Sequence, residues 1–201
     1  YKAQRKESPE ALIPQFSLAR EYLTAHNITW YEVEGFEGDD IIGTLVDFGE
    51  KNNLKVSVYT GDKDAFQLIS PQTTIYRTVK GVTELDIYNE QTLLDKYGLK
   101  PDQIRDFLGL MGDTADNIPG IKGVGEKTAL KLLHQYETIE GLEEHQNELK
   151  GKMGEKIRAG MEDALMSKKV ATILRDVPLD VDLNKALYAV SYTHLTLPTK
   201  R

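Results

Sequence analysis

Apolar positions along the chain follow two periods. Over 38–51 they recur at helical spacing, with Ile41, Ile42, Leu45 and Val46 forming one face. Over 54–59 they alternate, as a strand requires. Upstream, Ser8-Pro9-Glu10 supplies a cap and a first-turn proline; Pro14 interrupts the pattern, which resumes to about Ala25. Asn27 to Val33, carrying Ile28, Trp30 and Tyr31, reads as a short strand, with Trp30 in the core. A short helix is predicted near Ala65 to Ile69. Thr73–Val79 and Val82–Tyr88 flank Lys80-Gly81, a two-residue hairpin signal.

After Tyr88 the pattern turns helical. Asn89 caps a helix to about Tyr97, which Gly98 ends. Pro101 opens another to about Met111; Gly125–Tyr136, Ile139 to about Leu149, and Met153 to about Ile173 follow. The expected fold is α/β: a largely parallel sheet flanked by helices over 1–98, then a helical lobe over 99–189. Residues 190–201 are Ser/Thr-rich, lack acids and read as a non-native or disordered tail. The chain opens on Tyr1 within a basic stretch and reads as a fragment.

Composition narrows the chemistry. With 40% hydrophobic and 28% charged residues, the 201-residue chain has an ordinary globular balance. It has no cysteine, which excludes disulfides and zinc–thiolate sites and fits a reducing cytoplasm. No apolar run approaches the roughly 20 residues of a membrane helix. The formal net charge of −7 argues against a nucleic-acid partner until its distribution is considered. Seven clustered carboxylates account for all of it, and divalent cations bound among them would invert the local field.

Those carboxylates are Glu37, Asp39 and Asp40; Asp62 and Asp64; and Asp113 and Asp116. Oxygen-only sets of this kind suit hard cations such as Mg2+ or Mn2+. Hydrolysis of a phosphodiester with two metals about 4 Å apart needs an acidic nest of this size. Each cluster has a plainer reading as well. Asp39 and Asp40 complement a helix dipole, Asp62 or Asp64 caps the helix at Ala65, and Asp113 and Asp116 shape a turn before Asn117-Ile118-Pro119-Gly120. Glu37 and Asp39 can converge only if Glu37 precedes the helix proper.

A glycine hairpin, Gly120-Ile121-Lys122-Gly123-Val124-Gly125-Glu126-Lys127, lies directly behind the last cluster. Gly120, Gly123 and Gly125 let a phosphate approach main-chain N–H groups where the next helix begins, and Lys122, Lys127 and Lys131 add positive charge. An ordinary tight turn is the alternative. A backbone grip of this sort would be independent of sequence and sensitive to salt. His26, His134 and His145 lack ligand spacing and read as solvated helix residues.

With these residues assembled, the chain resembles the 5′ nuclease domain of bacterial DNA polymerase I, within the flap endonuclease superfamily. The likeness rests on Tyr1-Lys2-Ala3-x-Arg5, Glu37-Gly38-Asp39-Asp40-Ile41-Ile42-Gly43-Thr44-Leu45, Gly61-Asp62-Lys63-Asp64, Gly112-Asp113-x-x-Asp116-Asn117-Ile118-Pro119-Gly120, and Gly123-Val124-Gly125-Glu126-Lys127-Thr128-Ala129. The resemblance implies a PIN-like nuclease core and a helix–hairpin–helix lobe. It puts all seven carboxylates on metal-site positions holding two or more ions. Lys2, Arg5 and Lys6 fall at the end of an arch that orders the 5′ single strand. The Gly120–Lys127 turn, with Thr128, falls on the element that grips the duplex and can hold a monovalent cation, typically K+. The family also has a first strand ending in a metal-binding aspartate, which would precede Tyr1, so this stretch alone is expected to be incomplete as a nuclease.

The implied activity is 5′-3′ exonuclease and structure-specific 5′ flap endonuclease, as in RNA primer removal and DNA repair. Its partners would be DNA with 5′ flaps, nicks, duplex ends or RNA–DNA primer junctions. The chain would act as a monomer, in the cytoplasm at the bacterial nucleoid, without a membrane. One rival reading is a non-catalytic helix–hairpin–helix DNA-binding fragment, which would need the glycine turn but not the acids; another is a ribonuclease with a related acidic nest or a small phosphatase, and these two do not account for the glycine turn.

Overall fold

A computed structural model describes residues 9–81, 83–114 and 116–187. Lys2, Arg5, Lys6, the Ser8 cap and the 190–201 tail lie outside the described residues. The described chain forms two compact units, 33–179 and a smaller one of 9–32 with 180–187.

In the smaller unit, α1 spans Ile13–Ala25. Pro14 sits in its first turn, where a missing N–H costs nothing, so it starts the helix rather than interrupting it. The strand expected over 27–33 is not formed. No described strand pairs with it, and Ile28 and Trp30 remain exposed. Trp30 is therefore not core: its ring lies under the Arg20 guanidinium, 5.8 Å from the centroid, and Arg20 also pairs with Glu32 at 2.8 Å.

The larger unit begins with α2 (Gly38–Lys51), which buries Ile41, Gly43, Val46 and Gly49. A Cβ on Gly49 would lie 2.7 Å from a methyl of Val56, so glycine lets the helix rest directly on the sheet. The sheet has three strands in the order β1 (Val56–Thr60), β2 (Thr73–Lys80), β3 (Glu84–Tyr88). β1 and β2 are parallel, with Val58 opposite Ile75, and β2 and β3 are antiparallel, with Ile75 opposite Tyr88. Val58, Ile75 and Tyr88 are buried in one row across the sheet, as a two-residue period dictates. β2 ends at Lys80 and β3 begins at Glu84, so the connection is one residue longer than the two-residue hairpin expected. A short 3-10 turn over Asp64–Leu68 fills the crossover between β1 and β2; its Phe66 ring meets Tyr88 at 4.2 Å.

α3 (Glu90–Tyr97) is capped by Asn89, whose side chain accepts the Thr92 N–H at 2.9 Å, and ends at Gly98 with φ +66°. A single 3-10 turn over Pro101–Gln103 leads into α4 (Ile104–Met111), which is buried along most of its length. α5 (Glu126–Tyr136), α6 (Ile139–His145) and α7 (Gly151–Ala171) complete the lobe. Gly109 lets α4 cross close to α7: a Cβ there would lie 2.9 Å from Lys168 Cβ and 3.0 Å from the Ala164 carbonyl oxygen. A buried ion pair locks that crossing. Lys168 Nζ lies 2.7 Å from Asp106 Oδ1, which also accepts the Ile139 N–H at 2.8 Å, and 2.7 Å from Glu140 Oε2. Burial holds the Asp106 carboxyl above its ordinary pKa despite both partners. No helix of the described residues is long and apolar enough to cross a membrane.

Candidate metal centre and nucleic-acid interface

Each acidic cluster is set by the local structure that its plainer reading anticipates. Glu37 is the extended N-cap of α2, ahead of the helix proper, and Asp39 and Asp40 occupy the first turn. Asp40 is heavily engaged: Oδ2 accepts the Glu37 N–H at 3.2 Å, and Oδ1 accepts the Leu174 N–H at 2.9 Å. Val177 N–H reaches Thr44 Oγ1 at 3.0 Å one turn on, so the start of α2 is tied to the segment after α7.

Asp62 follows β1, where Thr60 Oγ1 accepts its N–H at 3.0 Å. Its own Oδ1 accepts the Asp64 N–H, also at 3.0 Å, and turns the chain into the 3-10 segment. Ala65, Phe66 and Leu68 are buried behind it, which fixes Asp64 at the rim of the core. The third cluster lies in the loop after α4. Asp113 and Ile118 exchange two backbone hydrogen bonds, of 2.9 and 2.7 Å, closing a tight loop that carries Asp116.

The three clusters meet at Asp64. Asp62, Asp64 and Asp113 line one cleft of about 410 Å³. Glu37, Asp39, Asp40 and Asp64 line an adjoining hollow of about 210 Å³. Burial, then the charges of Asp62, Asp113, Asp39 and Asp116 in that order, push the Asp64 carboxyl up from 3.8 to about 7. Acids from all three segments are thus near enough to oppose ionisation of one half-buried carboxyl, a repulsion that a divalent cation would relieve. Among the described residues no three His, Cys, Asp or Glu ring a single point. The donors instead line two hollows that share Asp64. A site for ions that keep several waters and take few carboxylates directly is compatible with this arrangement.

Two cleft residues escaped sequence reasoning. Glu126, the first residue of α5, lines the larger cleft beside Asp113. Arg77 lines it too, and its buried Nε has no hydrogen-bond partner among the described residues. Arg77 shares the inward parity of Ile75 on β2, so an arginine at a core-facing strand position was the available signal.

The glycine turn divides into an inner and an outer part. Gly120 is buried, with φ +56°. Its N–H donates to the buried Ser167 Oγ at 3.1 Å, and a Cβ there would overlap Gly112 N. It shapes the turn from within and offers no exposed N–H to a phosphate, unlike the role expected of it. Ile121 and Val124 anchor the turn in the core. Lys122, Gly123, Gly125 and Lys127 are exposed, and Thr128 is half-buried with its N–H bonded to the Gly125 carbonyl at 3.0 Å. Gly125 caps α5 in an extended conformation, and a Cβ there would meet nothing within 4 Å.

Comparison with known proteins identifies the family and the fold. Residues 1–98 match the 5′-3′ exonuclease N-terminal resolvase-like domain, and residues 99–193 match the 5′-3′ exonuclease C-terminal SAM fold. The chain is 47% identical over 189 residues to DNA polymerase I of Bacillus subtilis strain 168, covering 94% of this chain and 22% of that protein. It is 42% identical over 191 residues to a 5′-3′ exonuclease of the same organism, covering 94% of this chain and 64% of that protein. The chain therefore spans about a fifth of the polymerase relatives' length and under two thirds of the separate exonuclease. Among solved structures, the bacteriophage T5 flap endonuclease in a pseudo-enzyme-product complex with DNA and metal ions shares the fold. Its TM-score is 0.68 at 21% identity, over 84% of this chain and 62% of that one. With both family domains matched in order along nearly its whole length, the chain belongs to the 5′-3′ exonuclease family.

Proposed function

We propose that this chain is the nuclease portion of an enzyme that hydrolyses DNA phosphodiesters with divalent metal ions. It would act as a 5′-3′ exonuclease and 5′ flap endonuclease on flaps, nicks, duplex ends and RNA–DNA primer junctions. The observation that carries the proposal is the convergence of acids from three distant segments on Asp64.

Glu37, Asp39, Asp62, Asp64, Asp113 and Asp116 would hold two or more Mg2+ or Mn2+ ions, and Asp40 would orient the start of α2 as well as lend charge. Ions held there would supply Lewis-acid activation of water and charge stabilisation at the leaving oxygen, so no side-chain general base would be needed. Asp62 orients Asp64 by accepting its N–H, and the Asp113–Ile118 bridge closes the loop that carries Asp113 and Asp116. Lys122, Gly123, Gly125, Lys127 and the start of α5 would bind the duplex backbone, with K+ as a candidate ion at the turn and Lys2, Arg5 and Lys6 directed to the single strand. The domains would divide at 98/99, with the cleft lined from both halves. A monomer in the bacterial cytoplasm fits this reading.

A second reading, a DNA-binding piece that does not cut, gains some support from Asp40, both of whose oxygens already accept backbone N–H groups. Release of a labelled 5′ flap, measured with Mg2+ and with EDTA, separates the two. Mg2+-dependent release that is lost in Asp62→Asn supports the nuclease. Binding without release, in this chain and in the full-length protein alike, supports the second reading.

A further inference from the structure

One helix outside the helix–hairpin–helix pair runs along the back of the glycine turn. Ser167 of α7 accepts the Gly120 N–H at 3.1 Å. Two turns earlier, Gly160 faces Ile121: a Cβ on Gly160 would lie 2.9 Å from the Ile121 Cγ2 methyl. Another turn back, Lys156 reaches Gly123, and a Cβ on Gly123 would lie 2.8 Å from Lys156 Nζ. Residues 156, 160 and 167 recur at helical spacing on one face, so α7 descends as the turn advances from 120 to 123. Ile157, beside Lys156, is buried and fixes the rotation of the helix.

The consequence is a third cation at the exposed tip. Gly123 is exposed, with φ +82°, and so are Lys122 and Lys127 on either side of it. Lys156 is exposed as well, and among the described residues no ion pair engages it. Its ammonium occupies the space that a side chain at position 123 would need, so the glycine admits the charge as well as the backbone bend. A Lys ammonium on a flexible stem beside exposed backbone and two further lysines suits a phosphate oxygen.

We propose that Lys156 is a DNA-phosphate ligand, delivered by α7 to the tip of the glycine turn and acting with Lys122 and Lys127. This inference rests on the duplex-binding reading of the turn. It predicts a contact that is blind to base sequence and carries close to one released counterion.

The test is equilibrium binding of a fluorescent 5′-flap duplex in EDTA, over a series of KCl concentrations, so that no metal chemistry enters. Wild type is compared with Lys156→Gln, Lys156→Arg and Lys127→Gln. Lys156→Gln should lower affinity equally for different base sequences and reduce the slope of log K against log salt by about 1. Lys156→Arg should restore the slope, which a purely structural role for the stem would not require. If Lys127→Gln reduces the slope and Lys156→Gln does not, the inference falls and the duplex-binding reading stands. If neither variant moves the slope, or wild type shows no salt-dependent binding, both fall.

Discussion

Asp64→Asn gives the sharpest link between the geometry and a measurement. Burial and four neighbouring carboxylates raise the Asp64 pKa from 3.8 to about 7. A carboxyl whose pKa rises on folding holds its proton more tightly in the native state, so its ionisation opposes folding. The effect is absent below about pH 4, grows as pH rises, and is complete above about pH 7. A shift of about three units corresponds to roughly 4 kcal/mol as a ceiling. Because the site opens to solvent on two sides, about 1–2 kcal/mol is the realistic scale after screening. Asparagine removes the charge and keeps nearly the same volume. In EDTA, urea unfolding should therefore show Asp64→Asn more stable than wild type by about 1–2 kcal/mol at pH 8, with the two converging near pH 4. Adding Mg2+ should raise wild-type stability more than that of the variant, and cleavage should be lost. A stability difference that is flat with pH, or a variant less stable than wild type at pH 8, would refute the claim that the acids repel one another across this cleft.

Other substitutions test separate parts of the account. Asp62→Ala and Asp113→Ala should each abolish metal-dependent flap release while DNA affinity in EDTA stays within about twofold of wild type. The turn glycines should split: Gly120→Ala, with a positive φ and backbone overlap, should destabilise the fold by about 2 kcal/mol or more in urea melts, whereas Gly125→Ala, whose Cβ meets nothing within 4 Å, should cost only about 1 kcal/mol, the loss of a favourable cap residue, yet weaken duplex binding by crowding the backbone there. Lys168→Met should cost about 3 kcal/mol in the same melts, since it leaves the buried Asp106 carboxylate without its cation.

How much of this was legible beforehand depended on whether the information was local. The limits of α2 follow from its apolar face and its extended Glu37 cap, and α3 from Asn89 and Gly98; all lie within one or two turns of chain. The 27–33 stretch has strand composition but no described strand beside it, and strand pairing is settled by neighbours that period cannot reveal. The acidic residues were visible by type and spacing, yet whether Asp39 and Asp116 act on Asp64 is a property of the folded chain. The same holds for the bond from Leu174 to Asp40, for Glu126 in the cleft, and for Lys156 over Gly123. Gly120 shows the converse limit: glycine type and spacing placed it in the turn, but only the fold shows that it faces inward.

Localised cleavage of the polypeptide by bound Fe2+ tests the central claim most directly, because hydroxyl radicals generated at the ion cut only backbone beside it. With Fe2+ in place of Mg2+, ascorbate and peroxide should cut the chain near 37–40, 62–64 and 113–116, and excess Mg2+ or Asp64→Asn should suppress all three sets of fragments together. Cuts confined to one of these segments, or unchanged by Mg2+ competition, would contradict a shared metal site.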